Sequence, residues 1–334
     1  MKTIAVVGAG SWGTALAIHL ARTGHDVRIW VREPELVGVM RDERVNREYL
    51  PEVPLPDALW PSHDLAEVVA GAGLVLTAAP SHGTRAVMKT MAPLLAPAAV
   101  VVSATKGLEE ATLLRMSQVI GHELGGEHSV VVLSGPSFAL EVARELPTAV
   151  AVASSSADAA SLVQQEFRGR AFRLYATDDV VGVELGGALK NVMAIAAGTV
   201  EALDLGHNAL AALITRGLAE MSRLAFALGA RRDTLAGLSG LGDLVLTCTG
   251  ALSRNRQVGL ELGQGRTLEE ILLGRRTVAE GVRTTRAALA LGAQHGVELP
   301  ITEKMDEIMA GRTDARTAVE ELMLRRQRLE SERG

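Results

Sequence analysis

The stretch Ile4-Ala5-Val6-Val7-Gly8-Ala9-Gly10-Ser11-Trp12-Gly13 constrains this chain more than any other. An unbroken apolar run enters Gly8, and beyond Gly13 small and apolar residues recur at helical spacing through Ala17, Leu20 and Ala21. The pattern predicts a buried parallel strand, a tight turn and a helix. Gly8, Gly10 and Gly13 have the spacing GxGxxG, in which the first glycine makes the turn, the second lets a pyrophosphate approach the backbone, and the third lets helix and strand pack closely. The open N–H groups and positive end of the helix would hold the diphosphate of a dinucleotide. The spacing alone also suits a plain strand-turn-helix. Its context favours the dinucleotide, because a second alternating strand over residues 26–31 follows at the distance of a βαβ unit.

A chain of 334 residues with 48% hydrophobic residues predicts two domains, each with its own core. A net charge of −5 and an aromatic content of 3% argue against a nucleic-acid protein. Cys248 is the single cysteine, which excludes an internal disulfide framework and a multi-cysteine zinc site. The histidines show no close ligand pairing, so no metal is expected. Apolar runs are broken by charge or glycine before membrane-spanning length and no secretory signal precedes the first strand, so the expected compartment is the cytoplasm.

At the end of the second strand stand Arg32 and Glu33. An acidic residue there suits NAD, whereas an arginine accommodates the 2′-phosphate of NADP. Because Arg32 comes first, NADP(H) is the preferred cofactor and NAD(H) a possible one; the bland alternative is a solvated loop arginine. Residues 46–61, with four prolines, read as an irregular connection. A short helix over 65–69 and a strand over 74–78 follow, then a loop around His82, which reads as a helix-capping histidine. A strand over 100–105 ends at Lys106, a cation suited to phosphate or an anionic substrate, and Glu109 and Glu110 read as first-turn residues of a helix. Strands are expected at 130–133, 148–153 and 172–175. The alternation up to residue 177 predicts an α/β fold, a Rossmann-type doubly wound parallel sheet as dinucleotide-binding domain over residues 1–177, followed by an all-α substrate and catalytic domain over residues 178–334.

Within the apolar helical stretch 185–200, Lys190 is the only charge. Two readings follow. Desolvation lowers a lysine pKa and suits it to proton transfer near neutral pH; alternatively the stem crosses the apolar face and the ammonium snorkels to water. In the next helix, 208–228, Arg216, Glu220 and Arg223 are spaced as intrahelical partners. Glycines on either side of Leu241 place Asp243 on a turn before a helix, to cap it or to pair with a lysine. Cys248 lacks an activating histidine and reads as a buried structural thiol. Ser253-Arg254-Asn255-Arg256 offers phosphate donors.

The run Gly8 to Ala17, the segments Ala104-Thr105-Lys106-Gly107-Leu108-Glu109, Ser134-Gly135-Pro136-Ser137-Phe138-Ala139 and Gly187-Ala188-Leu189-Lys190-Asn191-Val192, Gly240-Leu241-Gly242-Asp243-Leu244 to Thr249, Ser253-Arg254-Asn255-Arg256 and Ala279-Glu280-Gly281-Val282 together resemble the bacterial NAD(P)-dependent sn-glycerol-3-phosphate dehydrogenases. The resemblance covers nearly the full length. It implies reversible reduction of dihydroxyacetone phosphate to sn-glycerol 3-phosphate, a precursor of glycerophospholipids, with Lys190 as proton donor and acceptor. It further implies cofactor contacts at the fingerprint glycines Gly8, Gly10 and Gly13, and at Ser11, Trp12, Arg32, Lys106, Ala139, Arg254, Val278 and Glu280. The implied substrate residues are Lys106, Gly135, Ser137, Lys190, Asp243, Ser253, Arg254 and Asn255, with Asn191 and Thr247 as additional members. A homodimer without nucleic-acid partner or stable membrane insertion is expected. Two rival readings are a dehydrogenase of similar architecture acting on a 3-hydroxy acid or a phosphorylated sugar acid, and a non-catalytic nucleotide sensor, which would need the fingerprint but not Lys190 with Asp243.

Overall fold

The computed structural model describes residues 2–273 and 279–327. Contacts divide the chain into two compact units, residues 1–106 with 114–183 and residues 107–113 with 184–334. In the first unit the strands are β1 (Thr3–Val7), β2 (Asp26–Trp30), β3 (Val45–Asn46), β4 (Leu50–Pro54), β5 (Leu59–Ser62), β6 (Leu74–Thr77), β7 (Val100–Ser103), β8 (Val130–Ser134), β9 (Thr148–Ala153) and β10 (Phe172–Thr177). Among the described residues they form an eight-stranded sheet in the order β10-β9-β8-β7-β6-β1-β2-β5, plus a hairpin of β3 with β4. The helices between them are α1 (Ser11–Arg22), α2 (Pro34–Asp42), α3 (Leu65–Val69), α4 (Ser81–Met91), α5 (Met116–Glu123), α6 (Ala139–Ala143) and α7 (Ala157–Glu166).

The unbroken apolar character of β1 has a direct cause. Ile4 and Val6 join the core on one face of the sheet, Ala5 and Val7 the core on the other, so the four residues after Thr3 are all buried. The fold class is the expected one, a Rossmann-like sheet followed by helices, with one correction: the sheet is mixed. β8 pairs with β9 antiparallel, while β9 and β10 run parallel to each other. The connection from β8 to β9 contains only α6, five residues long. At 1.5 Å per residue such a helix spans about 7.5 Å, too little to carry the chain back along a strand for a parallel return. α7, ten residues long, makes that return between β9 and β10.

The expected irregular connection over 46–61 is also corrected, since β4 and β5 lie within it despite their prolines. Pro61 is tolerated because β5 is the edge strand, paired with β2 on one side, where a missing N–H can face outward. Glu109 and Glu110 do not open a helix; they occupy a turn that precedes α5, and the segment 107–113 groups with the second unit.

The second unit is helical: α8 (Val180–Ala202), whose first turn belongs to the first unit, α9 (Gly206–Ala227), α10 (Arg232–Ala236), α11 (Asp243–Thr249), α12 (Arg254–Gly263), α13 (Leu268–Leu272), α14 (Glu280–His295), α15 (Pro300–Met309) and α16 (Ala315–Met323). A π turn, Leu238–Gly242, leads into α11. α8 is long and apolar enough to cross a membrane, and 89% of that window is buried inside the protein. Its small residues serve helix crossings: a Cβ on Gly198 would lie 1.9 Å from the Arg256 carbonyl oxygen of α12, and one on Gly259 of α12 would lie 1.8 Å from the Ile195 oxygen of α8. Glu220 of α9 corrects a further expectation. Both its carboxylate oxygens accept backbone N–H groups at the start of α15, from Ile301 at 2.8 Å and Thr302 at 2.9 Å, so it caps another helix rather than serving only its own.

Candidate active site

The three fingerprint glycines sit at the turn from β1 into α1, each for a different steric reason. Gly8 has φ +114° and a Cβ there would meet the Ala78 backbone at 3.0 Å. A Cβ on Gly13 would fall 1.9 Å from the Gly8 carbonyl oxygen. At Gly10 an added Cβ would meet nothing within 4 Å among the described residues. The first and third positions thus need glycine to build the turn, and the second leaves the backbone open to a ligand. Beside them the indole Nε1 of Trp12 is buried without a hydrogen-bond partner among the described residues. An open backbone cradle at a helix N-terminus fits a dinucleotide diphosphate.

Asn46 is the residue that sequence reasoning missed here. Fully buried, it donates from Nδ2 to the Ala9 oxygen at 2.8 Å and to Thr14 Oγ1 at 2.9 Å, and its Oδ1 accepts the Tyr49 N–H at 3.1 Å. Ser11 Oγ donates to the Tyr49 oxygen at 2.7 Å. The β3–β4 hairpin therefore clamps the glycine turn. Its proline-rich composition hid that role, because a buried asparagine has no local periodicity.

Arg32 lies just past β2 and is bound to Glu33, with Nη2 2.6 Å and Nε 2.9 Å from Oε1. Past β7, Lys106 Nζ donates to the Gly135 oxygen at 2.8 Å, and Ser137 Oγ donates to the same oxygen at 2.9 Å. Gly135, at φ +142°, turns the chain out of β8, and a Cβ there would meet Val150 Cα at 3.0 Å. Ala139 opens α6. Lys106, Gly135 and Ser137 are thus gathered at the carboxyl ends of β7 and β8, the edge where ligands bind in such sheets. His82 corrects the loop reading: it lies in the first turn of α4, and Pro80 is the capping residue.

In the second unit α8 carries Lys190, and the π turn delivers Asp243 as the first residue of α11. Lys190 Nζ donates to Asp243 Oδ1 at 2.9 Å and to Thr247 Oγ1 at 2.6 Å. The side chains are 9% and 1% exposed for Lys190 and Asp243. The ammonium therefore does not snorkel, and its charge is compensated inside the unit. Cys248 is buried beside this pair, with its thiol pushed up to about 12 by desolvation, as a structural thiol requires.

A second polar group adjoins on the neighbouring face of α8. Asn255 Nδ2 donates to Asn191 Oδ1 at 3.0 Å, and Asn255 Oδ1 accepts the Gly281 N–H at 3.0 Å. A Cβ on Gly281 would come within 2.6 Å of the Asn191 oxygen, so the glycine is what lets α14 close on α8. Ser253 caps α12 by accepting the Arg256 N–H at 3.2 Å. Arg254 is the exposed first residue of α12, and Glu280 the half-buried first residue of α14. Val278 lies outside the described residues.

Residues 3–160 match the model of the NAD-dependent glycerol-3-phosphate dehydrogenase N-terminus and residues 179–320 that of its C-terminus. The chain belongs to the NAD-dependent glycerol-3-phosphate dehydrogenase family. It is 55% identical over 284 residues to the glycerol-3-phosphate dehydrogenase [NAD(P)+] of Citrifermentans bemidjiense, covering 84% of this chain and 85% of that one. The crystal structure of glycerol-3-phosphate dehydrogenase from Coxiella burnetii superposes with a TM-score of 0.93 at 43% identity, over 97% of this chain and 99% of the other. The enzyme structure from Saccharomyces cerevisiae gives a TM-score of 0.81 at 27% identity, over 96% and 98% of the two chains. A ketopantoate reductase from Ralstonia eutropha, at 18% identity and a TM-score of 0.61, shares the fold alone.

Proposed function

We propose that the chain reduces dihydroxyacetone phosphate reversibly to sn-glycerol 3-phosphate, with NADPH preferred and NADH tolerated, and that Lys190 is the proton donor and acceptor. As a member of its family the chain is an NAD(P)-dependent glycerol-3-phosphate dehydrogenase, an oxidoreductase. The observation that carries the reading of Lys190 is its buried contact with Asp243 and Thr247. An ammonium has three N–H donors. Two are held by Asp243 Oδ1 and Thr247 Oγ1, which leaves the third for a substrate oxygen. Reduction of a ketone gathers charge on that oxygen, and a positioned ammonium both stabilises the charge and delivers the proton. When bound, the reduced nicotinamide supplies the hydride.

The donors Arg254, Asn255 and Ser253 are assigned to the substrate phosphate, Arg254 also to the cofactor, and Asp243 is assigned to hold Lys190 charged and oriented. Lys106, Gly135, Ser137, Ala139 and Glu280 keep the cofactor and substrate roles that the resemblance implies. Asn255 contributes one further N–H, since its oxygen and one amide proton already join α12 to α8 and α14. The dinucleotide-binding role goes to residues 1–177 and the substrate and catalytic role to residues 178–334. We place the enzyme in the cytoplasm as a homodimer supplying glycerophospholipid synthesis.

The test follows absorbance at the nicotinamide band with dihydroxyacetone phosphate and each reduced cofactor. Oxidation of NADPH that depends on this ketone is the expected result. Oxidation only with the keto form of a 3-hydroxy acid or a phosphorylated sugar acid would point to the rival dehydrogenase. Cofactor binding with no substrate-dependent turnover would identify a sensor.

A further inference from the structure

We infer that Glu33 is a specificity-determining residue that restrains Arg32, so that the ion pair between them narrows the chain's discrimination between NADPH and NADH. This deepens the cofactor reading above and rests on it. Arg32 and Glu33 follow β2, the strand beside β1, and β1 feeds the glycine turn. That is where a sheet of this kind meets the adenosine ribose of its cofactor. Two residue types with opposite preferences therefore stand side by side, and the structure joins them: Nη2 and Nε of Arg32 lie 2.6 Å and 2.9 Å from one oxygen of Glu33.

Among the described residues, the hydrogen bonds of the Glu33 carboxylate go to Arg32. It occupies the N-cap position of α2 but makes no side-chain cap bond, and Pro34 follows at the first helical position. The pair is accessible to a ligand, with the arginine side chain 72% exposed and the glutamate 33%. Glu33 is the largest influence raising the Arg32 guanidinium above its ordinary value, through its hydrogen bond and its charge, with Tyr49 and then Glu48 adding less. Tyr49, whose backbone oxygen is held by Ser11 of the fingerprint, lies within the field of the same carboxylates.

The consequence is a competition. A 2′-phosphate dianion can reach the guanidinium only by displacing Glu33 or by settling beside its negative charge. The ribose 2′-hydroxyl of NADH faces neither demand: it can donate to the Glu33 carboxylate while Arg32 keeps its partner. Arg32 rewards the phosphate and Glu33 opposes it, so neither cofactor is excluded.

Binding is measured for NADPH, NADH and adenosine 2′,5′-bisphosphate with the wild type, Glu33→Gln, Arg32→Ala and the double variant, by nicotinamide fluorescence and by competition. Glutamine at this half-exposed position keeps the shape and removes the charge. Glu33→Gln should tighten NADPH and the bisphosphate by about fivefold, the scale of an exposed ion pair and a removed like charge, and weaken NADH by about twofold or more. In the Arg32→Ala background that gain for NADPH should shrink, because the competition is for Arg32. Equal effects on both cofactors, or no change in their ratio, would overturn the role of Glu33 while leaving the cofactor reading intact. Failure of the wild type to bind either nicotinamide cofactor would overturn both.

Discussion

Lys190 and Asp243, 53 residues apart in the chain, meet at 2.9 Å in the interior of the helical unit. The contact is possible because a helix of small residues lets its neighbours approach: a Cβ at Gly186, one turn before Lys190, would lie 2.4 Å from the Ser239 oxygen in the π turn that leads to Asp243. Glycine on one element and the π turn on the other thus set where the carboxylate arrives.

Replacement of Lys190 by alanine should lower kcat by at least about a hundredfold while NADPH still binds, as expected for loss of a general acid. The same substitution removes the Lys190 charge from beside the buried Asp243 carboxylate, so a fall in unfolding midpoint should accompany it. Lys190→Ala combined with Asp243→Asn should recover part of that midpoint and none of the rate. Turnover like the wild type in the folded single variant would remove Lys190 from the chemistry.

Arg254→Ala should cripple reduction of dihydroxyacetone phosphate and hardly change the already poor rate on dihydroxyacetone. The phosphate supplies remote binding energy that positions the carbonyl, so its loss lowers kcat as well as affinity. Four steady-state measurements decide this, two proteins on two substrates. An equal factor on both ketones would assign Arg254 to the cofactor or the fold.

Asn46→Ala removes both donors to the fingerprint turn and the acceptor for Tyr49 N–H. Stability should drop by about 2 to 4 kcal/mol, the range for several lost buried hydrogen bonds, read by urea denaturation. Because those bonds position the glycine turn, NADPH affinity should fall by a larger factor than the KM for dihydroxyacetone phosphate rises. Unchanged cofactor affinity in the folded variant would confine Asn46 to a structural role.

Acid should destabilise the first unit through His19. Its Nε2 donates to the Phe167 oxygen at 2.8 Å, and burial holds its pKa below the ordinary 6.5. A base with a depressed folded pKa contributes stability that is complete above the unfolded value and lost as pH falls from about 6.5 toward the folded pKa. Thermal unfolding between pH 8 and pH 5 should therefore show a declining midpoint below pH 6.5. His19→Gln should lower the midpoint at pH 8 and flatten the decline; an equally steep decline in that variant would place the acid sensitivity elsewhere.

Sequence alone determined the elements whose cause is local. The apolar run of β1, the glycine spacing and the small-residue periodicity of α8 are each set by the burial of consecutive residues, and each was legible as written. The isolated charge at Lys190 marked a residue needing a reason, and Asp243 on its turn offered a lysine partner. The pairing itself, with Thr247 completing it, was decided by tertiary structure, because no periodicity links residues so distant. The same holds for Asn46, which reaches back to Ala9 and Thr14, and for Glu220, which reaches forward to Ile301 and Thr302. Both looked like ordinary polar residues until their partners arrived. The direction of β9 was likewise invisible in its own residues, since Ala and Val alternate alike in parallel and antiparallel strands; the shortness of α6 and the geometry of the return settled it. Local patterning fixes which face of an element is buried, and only the folded chain decides which polar group waits on the other side.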